Sequence, residues 1–428
     1  MPAAVVFILF VICLIIAIPV SIALTIASVL PGAFDPSFTA SGQFVIRSML
    51  GGIDSFPLLA VPMFVLSGII MARGGISKKL FDVFSYFLGN LTAGLPCAVI
   101  VTCLFYGAIS GSGPATVAAV GSMTIPILIE LGYDKDFSAA IVAVAGGLGV
   151  IIPPSIPFIM FGSASGESVS DLFIAGIIPG LLIGGLLMVY VVYYCKKNGD
   201  KEKIQKVVGE LHEKGLLKVL KESFWALLSP VIILGCIYSG IASPTEAAVI
   251  SVFYALIVSL FIYKTMTFKD IWPALVEGVR TYAPIMFILA ASIAFSRVLT
   301  LMQIPQMVST WILTHFTNKI VLLLVINVFL LIVGMVMDTT PAILILTPIL
   351  LPIVTAVGMN PIHFGIMMVV NLAIGFVTPP IGVNLFVASS LTDIPIMRIS
   401  KHAMPMIGYF LVALLLITFI PAISLALI

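Results

Sequence analysis

Apolar runs of helical length follow one another along almost the whole chain, each closed by a short stretch of Gly, Pro or charge. The runs lack the two-residue alternation of barrel strands, so the pattern predicts a helical bundle. A first span covers 3–30 and ends at Pro31-Gly32, and a semi-polar piece over 35–52 is too mixed to cross and lies at the interface. The second span covers 56–72, and residues 76–90, with Lys78, Lys79 and Asp82, predict an amphipathic helix along the surface. Residues 138–163 and 364–391 read as interrupted spans, because Pro153-Pro154 and Pro379-Pro380 remove donors and clash with the preceding turn. Further spans are predicted over 172–195, 225–241, 246–264, 281–300 and 404–426, with polar or amphipathic pieces at 267–280 and 303–317.

Two segments, 92–131 and 319–357, fit no single crossing. As one helix each would run roughly twice the ~30 Å apolar core. Each carries a polar knot near its middle: Ile109-Ser-Gly-Ser-Gly-Pro-Ala-Thr116 in the first, Met337-Asp-Thr-Thr-Pro-Ala342 in the second. Both segments are predicted to be hairpins that enter and leave by one side. Backbone that leaves the helix at membrane depth survives only where protein buries it or a watery cavity solvates it. Two such interruptions in corresponding places are the strongest sequence pointer to a transport site.

The two halves match piece by piece. Pro114 precedes Pro341 by 227 residues, and Gly132/Gly358, Gly149/Gly375, Pro153-Pro154/Pro379-Pro380 and Pro179/Pro405 repeat at 226. Basic residues set the orientation. Lys78, Lys79, Lys135, Lys264, Lys269, Arg398, Lys401 and the 196–222 cluster belong on the cytoplasmic side. This makes the repeats antiparallel, the span over 225–241 the connector that inverts the second half, the N-terminus cytoplasmic and the C-terminus periplasmic. The expected fold is thus an all-α polytopic membrane protein of two inverted repeats, each with a re-entrant hairpin and a broken span. Its parts are scaffold spans and an interfacial arm over 1–91, hairpin and broken span over 92–164, scaffold spans with a cytoplasmic linker over 165–318, the second hairpin and broken span over 319–392, and a last span over 393–428.

Composition agrees. Hydrophobic residues make up 61% of the 428 positions, charged residues only 9%, and the mean hydropathy is +1.26, which no soluble surface can accommodate. A net charge of +2 gives no electrostatic case for nucleic acid. The five cysteines form no C-x-x-C pair and the histidines at 212, 315, 363 and 402 are scattered, so neither a disulfide framework nor a metal-ligand set is expected. The stretch 196–222 holds eight of the 20 basic residues beside five acids, and reads as a solvated cytoplasmic linker rather than a docking element. Nucleotide-binding, zinc-protease and serine-hydrolase motifs are all missing, so no enzyme is expected.

Helix ends at the knots expose N–H and C=O groups. Carbonyls and hydroxyls are hard ligands for a small cation, and helix N-termini favour carboxylate. The first knot offers Ser110, Gly111, Ser112, Gly113 and Thr116, and the break opposite it Gly146, Gly147, Gly149 and Ser155. The second offers Asp338, Thr339 and Thr340 against Gly375, Thr378 and Asn384. One cation per knot with an anionic solute between them is the simplest reading. Asp338 reads as a sodium or proton ligand on the cost of a mid-membrane acid; its bland alternative is a helix cap. Ser110 and Ser112 have the alternative of small residues easing helix contact. Glu246, in Ser243-Pro-Thr-Glu246, reads as a capping box. Arg297, Glu167 and Asp171 either contact solute or sit at span ends, and Trp225, Trp272 and Trp311 read as interfacial anchors.

Five ordered motifs, S-G-S-G-P-A-T at 110–116, G-G-L-G-V-I-I-P-P-S at 146–155, S-P-T-E-A-A at 243–248, M-D-T-T-P-A at 337–342 and G-F-V-T-P-P-I-G-V-N at 375–384, resemble the large membrane subunit of the TRAP (tripartite ATP-independent periplasmic) transporters over essentially the whole chain. The resemblance implies sodium-coupled uptake of an organic acid, such as a C4-dicarboxylate or sialic acid, across the bacterial inner membrane. It implies an elevator-type transport domain carrying both hairpins, two or more sodium ions, a small Q-type membrane subunit and a P-type periplasmic binding protein. Carried onto this chain, it places sodium at Ser110, Gly111, Ser112, Gly149 and Pro153 and at Asp338, Thr339, Thr340, Gly375 and Thr378. Solute falls to Gly113, Pro114, Thr116, Ser155 and Asn384. The rival expectations are a stand-alone sodium or proton:carboxylate symporter or exchanger, and a channel, which would need a continuous polar stripe along its spans.

Overall fold

The computed structural model describes residues 3–34, 38–198, 213–316 and 318–428, which are helical with no strand among them. Nine helices in the described residues are long and apolar enough to cross a membrane. The chain begins with α1 (Ala3–Ile15) and α2 (Val20–Phe34), packed on each other. The expected single span over 3–30 is therefore broken: Pro19 lacks the N–H a continuing helix needs, and Ala17 turns the chain at φ 61°. Then come α3 (Gly42–Ile53), α4 (Ala60–Arg73) behind a 3-10 turn at Phe56–Leu59, and the amphipathic α5 (Ile76–Leu88).

The segment 92–131 forms α6 (Gly94–Ser110) and α7 (Gly113–Glu130), folded against each other. The first interrupted span is α8 (Lys135–Gly146), a 3-10 turn at Gly147–Val150, and α9 (Ile156–Ser165). Next is α10 (Val169–Asn198). Of the 196–222 linker, 199–212 lie outside the described residues, and its end opens α11 (Leu216–Tyr238). Ser243 and Glu246 form the expected capping box at the head of α12 (Pro244–Ile257).

Residues 267–300, expected as a polar piece and a separate span, are one 34-residue helix, α13 (Phe268–Leu301). A Thr267–Asp270 capping box starts it, and packing along α2, α3 and α4 offsets the bonds lost at Pro273 and Pro284. At roughly 50 Å it overreaches the ~30 Å core, so its charged first turns project, and Glu277 bonds Arg73 of α4 there. The chain continues through α14 (Ile304–His315), α15 (Lys319–Val336), α16 (Thr339–Ala356), α17 (Pro361–Gly375), α18 (Val383–Thr392), α19 (Ile396–Phe419) and the short α20 (Ala422–Leu425).

Two helices are enclosed on every side. In α8 every residue from Asp136 to Gly146 is buried, and in α17 every residue from Ile362 to Gly375. Neither sequence has a polar face, as expected of a helix buried all round. Each runs straight into a break, so the irregular backbone lies inside protein. The halves also interlock: α7 packs on α18, and α16 packs on α9. Asp136 of α8 takes a bidentate bond from Arg398 of α19 at 2.8–3.0 Å.

Glycine pairs let the hairpins meet the breaks backbone to backbone. A Cβ on Gly107 of α6 would lie 2.7 Å from the Cα of Gly149, and one on Gly375 would overlap the carbonyl of Gly334 in α15. These pairs repeat at the spacings already seen in the sequence, 107 to 334 and 149 to 375. Gly375→Ala is expected to lower stability by about 1–3 kcal/mol or more through overpacking. Gly185→Ala, where an added Cβ meets nothing within 4 Å, should be neutral or slightly stabilising. Thermal unfolding of both variants in detergent checks the contrast.

Candidate functional site

At the first interruption α6 stops at Ser110 because Gly111 turns the chain at φ 60°, a conformation that favours glycine. Ser112 is extended, and α7 starts at Gly113 with Pro114 in its first turn, where proline's missing N–H has no cost. Three oxygens converge here. Ser110 Oγ lies 3.0 Å from Thr116 Oγ1 and donates to the Ser112 carbonyl at 3.3 Å, to which Thr116 Oγ1 also donates at 2.8 Å. Gly149 closes the cluster: a Cβ there would lie 2.8 Å from the Ser112 carbonyl and overlap Thr116 Oγ1. The structure thus brings Ser110, Ser112, Thr116 and Gly149 together. An oxygen shell at ~2.3–2.6 Å around a hard cation has edges of this length, so the donor set fits such an ion.

The break behind this cluster is satisfied within the protein. Gly111 O accepts from Ile156 N at 3.3 Å, and Ser155 Oγ donates to Val150 O at 2.5 Å while accepting from Phe158 N as cap of α9. The Ser155 hydroxyl therefore holds the turn containing Pro153. Gly113 lies against Phe376, Gly146 O and Asn384 Oδ1, all 3.2–3.3 Å from where its Cβ would be. Asn384 belongs to the other half; its Nδ2 donates to Ala143 O at 3.0 Å and its backbone N to Phe376 O at 3.0 Å. Its buried Oδ1 has no hydrogen-bond partner among the described residues and faces the first tip.

The second interruption is built differently. Asp338 caps α16, accepting from Thr339 N at 2.7 Å, and it is exposed, whereas Thr339 and Thr340 are buried. Thr378 Oγ1 donates to Ile374 O at 2.8 Å at the end of α17. Among the described residues no hydrogen bond joins Asp338, Thr339 or Thr340 to Gly375 or Thr378. The knot meets its broken span through Gly334, four residues before Asp338, against Gly375.

Sequence reasoning passed over a buried chain of amides. Asn371 Nδ2 donates to Asn327 Oδ1 at 2.7 Å, Asn327 Nδ2 to Thr418 Oγ1 at 3.2 Å, and His363 Nε2 lies 3.3 Å from Thr418 O. Its signal was an amide inside an apolar run, which is costly unless bonded. Asp134, Asp136 and His402 also cluster. Both carboxylates are engaged there, Asp136 by Arg398 and Asp134 as the cap of α8.

The family described as the DctM component of the tripartite ATP-independent periplasmic transporter matches residues 7–423. This chain is a member of that family. A C4-dicarboxylate TRAP transporter large permease protein of Pseudomonas aeruginosa is 43% identical over 376 residues, covering 87% of this chain and 86% of that one. A sialic acid TRAP transporter large permease protein of Vibrio cholerae is 37% identical, covering 90% and 89%. An isethionate TRAP transporter permease protein of Oleidesulfovibrio alaskensis is 44% identical over 99% of this chain, which spans 66% of that longer protein. Among solved structures, the Alcanivorax borkumensis YdaH transporter superposes with a TM-score of 0.63 at 16% identity, covering 93% of this chain and 96% of that one, a likeness of fold. This chain is thus a multi-pass membrane protein and a transporter permease subunit, not an enzyme.

The oxygens at the first tip are bonded to one another and so should act as a unit. Ser110→Ala and Thr116→Val are expected to show a coupling of about 0.5–1.5 kcal/mol in a double-mutant cycle on thermal stability. Independent sites would add to within ~0.3–0.5 kcal/mol.

Proposed function

We propose that this DctM component carries an organic acid anion into the bacterial cytoplasm together with sodium ions, working with a small Q-type membrane subunit and a P-type periplasmic binding protein. The observation that carries the proposal is the trio of Ser110 Oγ, Ser112 O and Thr116 Oγ1 held against Gly149 at a helix break inside the protein. It offers neutral oxygens without a counter-charge, which suits a monovalent cation better than a divalent one. Gly111 and Pro153 shape this first cation site by fixing the turns on either side. The second cation falls to Asp338, Thr339, Thr340, Gly375 and Thr378, where the exposed carboxylate of Asp338 supplies charge.

Solute is assigned to the space between the tips. The start of α7 presents the N–H groups of Gly113 and Ala115 to a carboxylate or sulfonate, Pro114 fixes that first turn, and Thr116, whose N–H is taken by Ser112 O, offers its hydroxyl. Asn384 stands beside it with a free acceptor, and Ser155 holds the wall. The relatives named for C4-dicarboxylates, sialic acid and isethionate support an organic acid as the solute class.

The two halves are read as inverted repeats, with the C-terminus periplasmic and the N-terminus cytoplasmic, in the inner membrane. The contacts α7–α18 and α16–α9 support a single body made of both hairpins and both broken spans, and an elevator movement carries that body against the scaffold of α2, α3, α4, α12 and α13.

Uptake of labelled solute into proteoliposomes containing the DctM component and the small subunit tests this reading. Uptake is expected to need both an inward sodium gradient and added binding protein. Ser110→Ala and Asp338→Ala should each raise the sodium needed for half-maximal uptake by about tenfold or more, the worth of one ligand to a charge. Unchanged sodium titrations would remove these residues from the sites, and uptake without binding protein would favour a stand-alone symporter.

A further inference from the structure

Where α4, α5, α11 and the turn after α12 meet lies an open cleft of about 580 Å³, its lining led by Lys79, Lys218, Lys221, Glu222, Trp225 and Tyr263. Its chemistry is that of an anion site. Three lysines, Lys79, Lys218 and Lys221, line it against the one carboxylate of Glu222, on which Lys214 also acts. Glu222 is taken by Lys79 at 2.8 Å, and Lys218 and Lys221 have no ion-pair partner among the described residues. On the neighbouring turn of α5, burial pushes the Asp82 carboxyl above its usual range while Lys78, Lys79 and Lys214 pull it back. Gly75, the left-handed residue ahead of α5, also lines the cleft, so the positive end of that helix's dipole lies on the same side as the lysines.

The surroundings say which anion. The cavity sits where the membrane-crossing α11 begins, and apolar side chains stand outward beside it: Leu217 is 85% exposed, Phe261 60% and Phe224 51%. Trp225 and Tyr263 border the rim, the residue types that settle at headgroup depth. Tyr263 is itself fixed, its hydroxyl accepting from Ala226 N at 3.0 Å. A basic cleft flanked by outward apolar side chains complements a phosphodiester carrying acyl chains, whereas a free anion would leave those side chains unused. We propose that this cleft binds the headgroup of an anionic phospholipid, holding α11 against the turn between α4 and α5.

Trp225 reports on occupancy. The test uses the full-length chain carrying Trp272→Phe and Trp311→Phe, which leaves Trp225 as its one tryptophan, in nanodiscs of zwitterionic lipid doped with brominated phosphatidylglycerol or brominated phosphatidylcholine. Trp225 is expected to be quenched at a several-fold lower fraction of the anionic lipid. That preference should fall roughly fivefold for each of Lys218→Gln and Lys221→Gln and survive in Lys218→Arg/Lys221→Arg. Equal quenching by both lipids, or a preference untouched by the glutamine variants, overturns the proposal. Relief of the anionic quenching by millimolar inorganic phosphate overturns the choice of lipid in favour of a free anion.

Discussion

A peptide group that leaves the helix in a hydrocarbon layer must find its hydrogen bonds in protein, and this molecule is arranged around meeting that demand twice. Both breaks follow helices that are buried on every side, α8 and α17. Around the breaks the freed groups are taken up locally: Ile156 N by Gly111 O, Val150 O by the Ser155 hydroxyl, Phe376 O by Asn384 N, Ile374 O by the Thr378 hydroxyl. Beside the first tip, Asn384 Oδ1 is left without a hydrogen-bond partner among the described residues.

The halves solve the packing problem alike and the chemical problem differently. In each, a glycine of the hairpin meets a glycine of the broken span with no side chain between. The first tip then spends its hydroxyls on one another, giving a compact neutral cluster. The second places a carboxylate at the head of α16 and keeps its threonines buried. Matching glycine contacts thus frame a neutral tip in one half and an acidic one in the other.

Much of this was legible because glycine and proline carry positional information. The hairpins, the broken spans, the cap at Ser243 and the cluster at Ser110 and Ser112 all follow from where the apolar pattern is punctured. Proline also misled in both directions. Pro19 broke the expected first span, whereas Pro273 and Pro284 are absorbed in α13 by neighbours a linear pattern does not reveal. The pairing of α7 with α18 and of α16 with α9 was equally hidden, since each joins segments more than 150 residues apart. So was the role of Asn384, whose amide spans the two halves.

That amide bond has a consequence for how the protein is made. Ala143 and Asn384 lie 241 residues apart, so the first break enters the membrane before its partner exists. At ~5–20 residues per second, translation leaves a gap of roughly ten to fifty seconds. During that interval the first tip must be shielded by water, lipid headgroups or the insertion machinery, and only the arrival of the second half lets it settle.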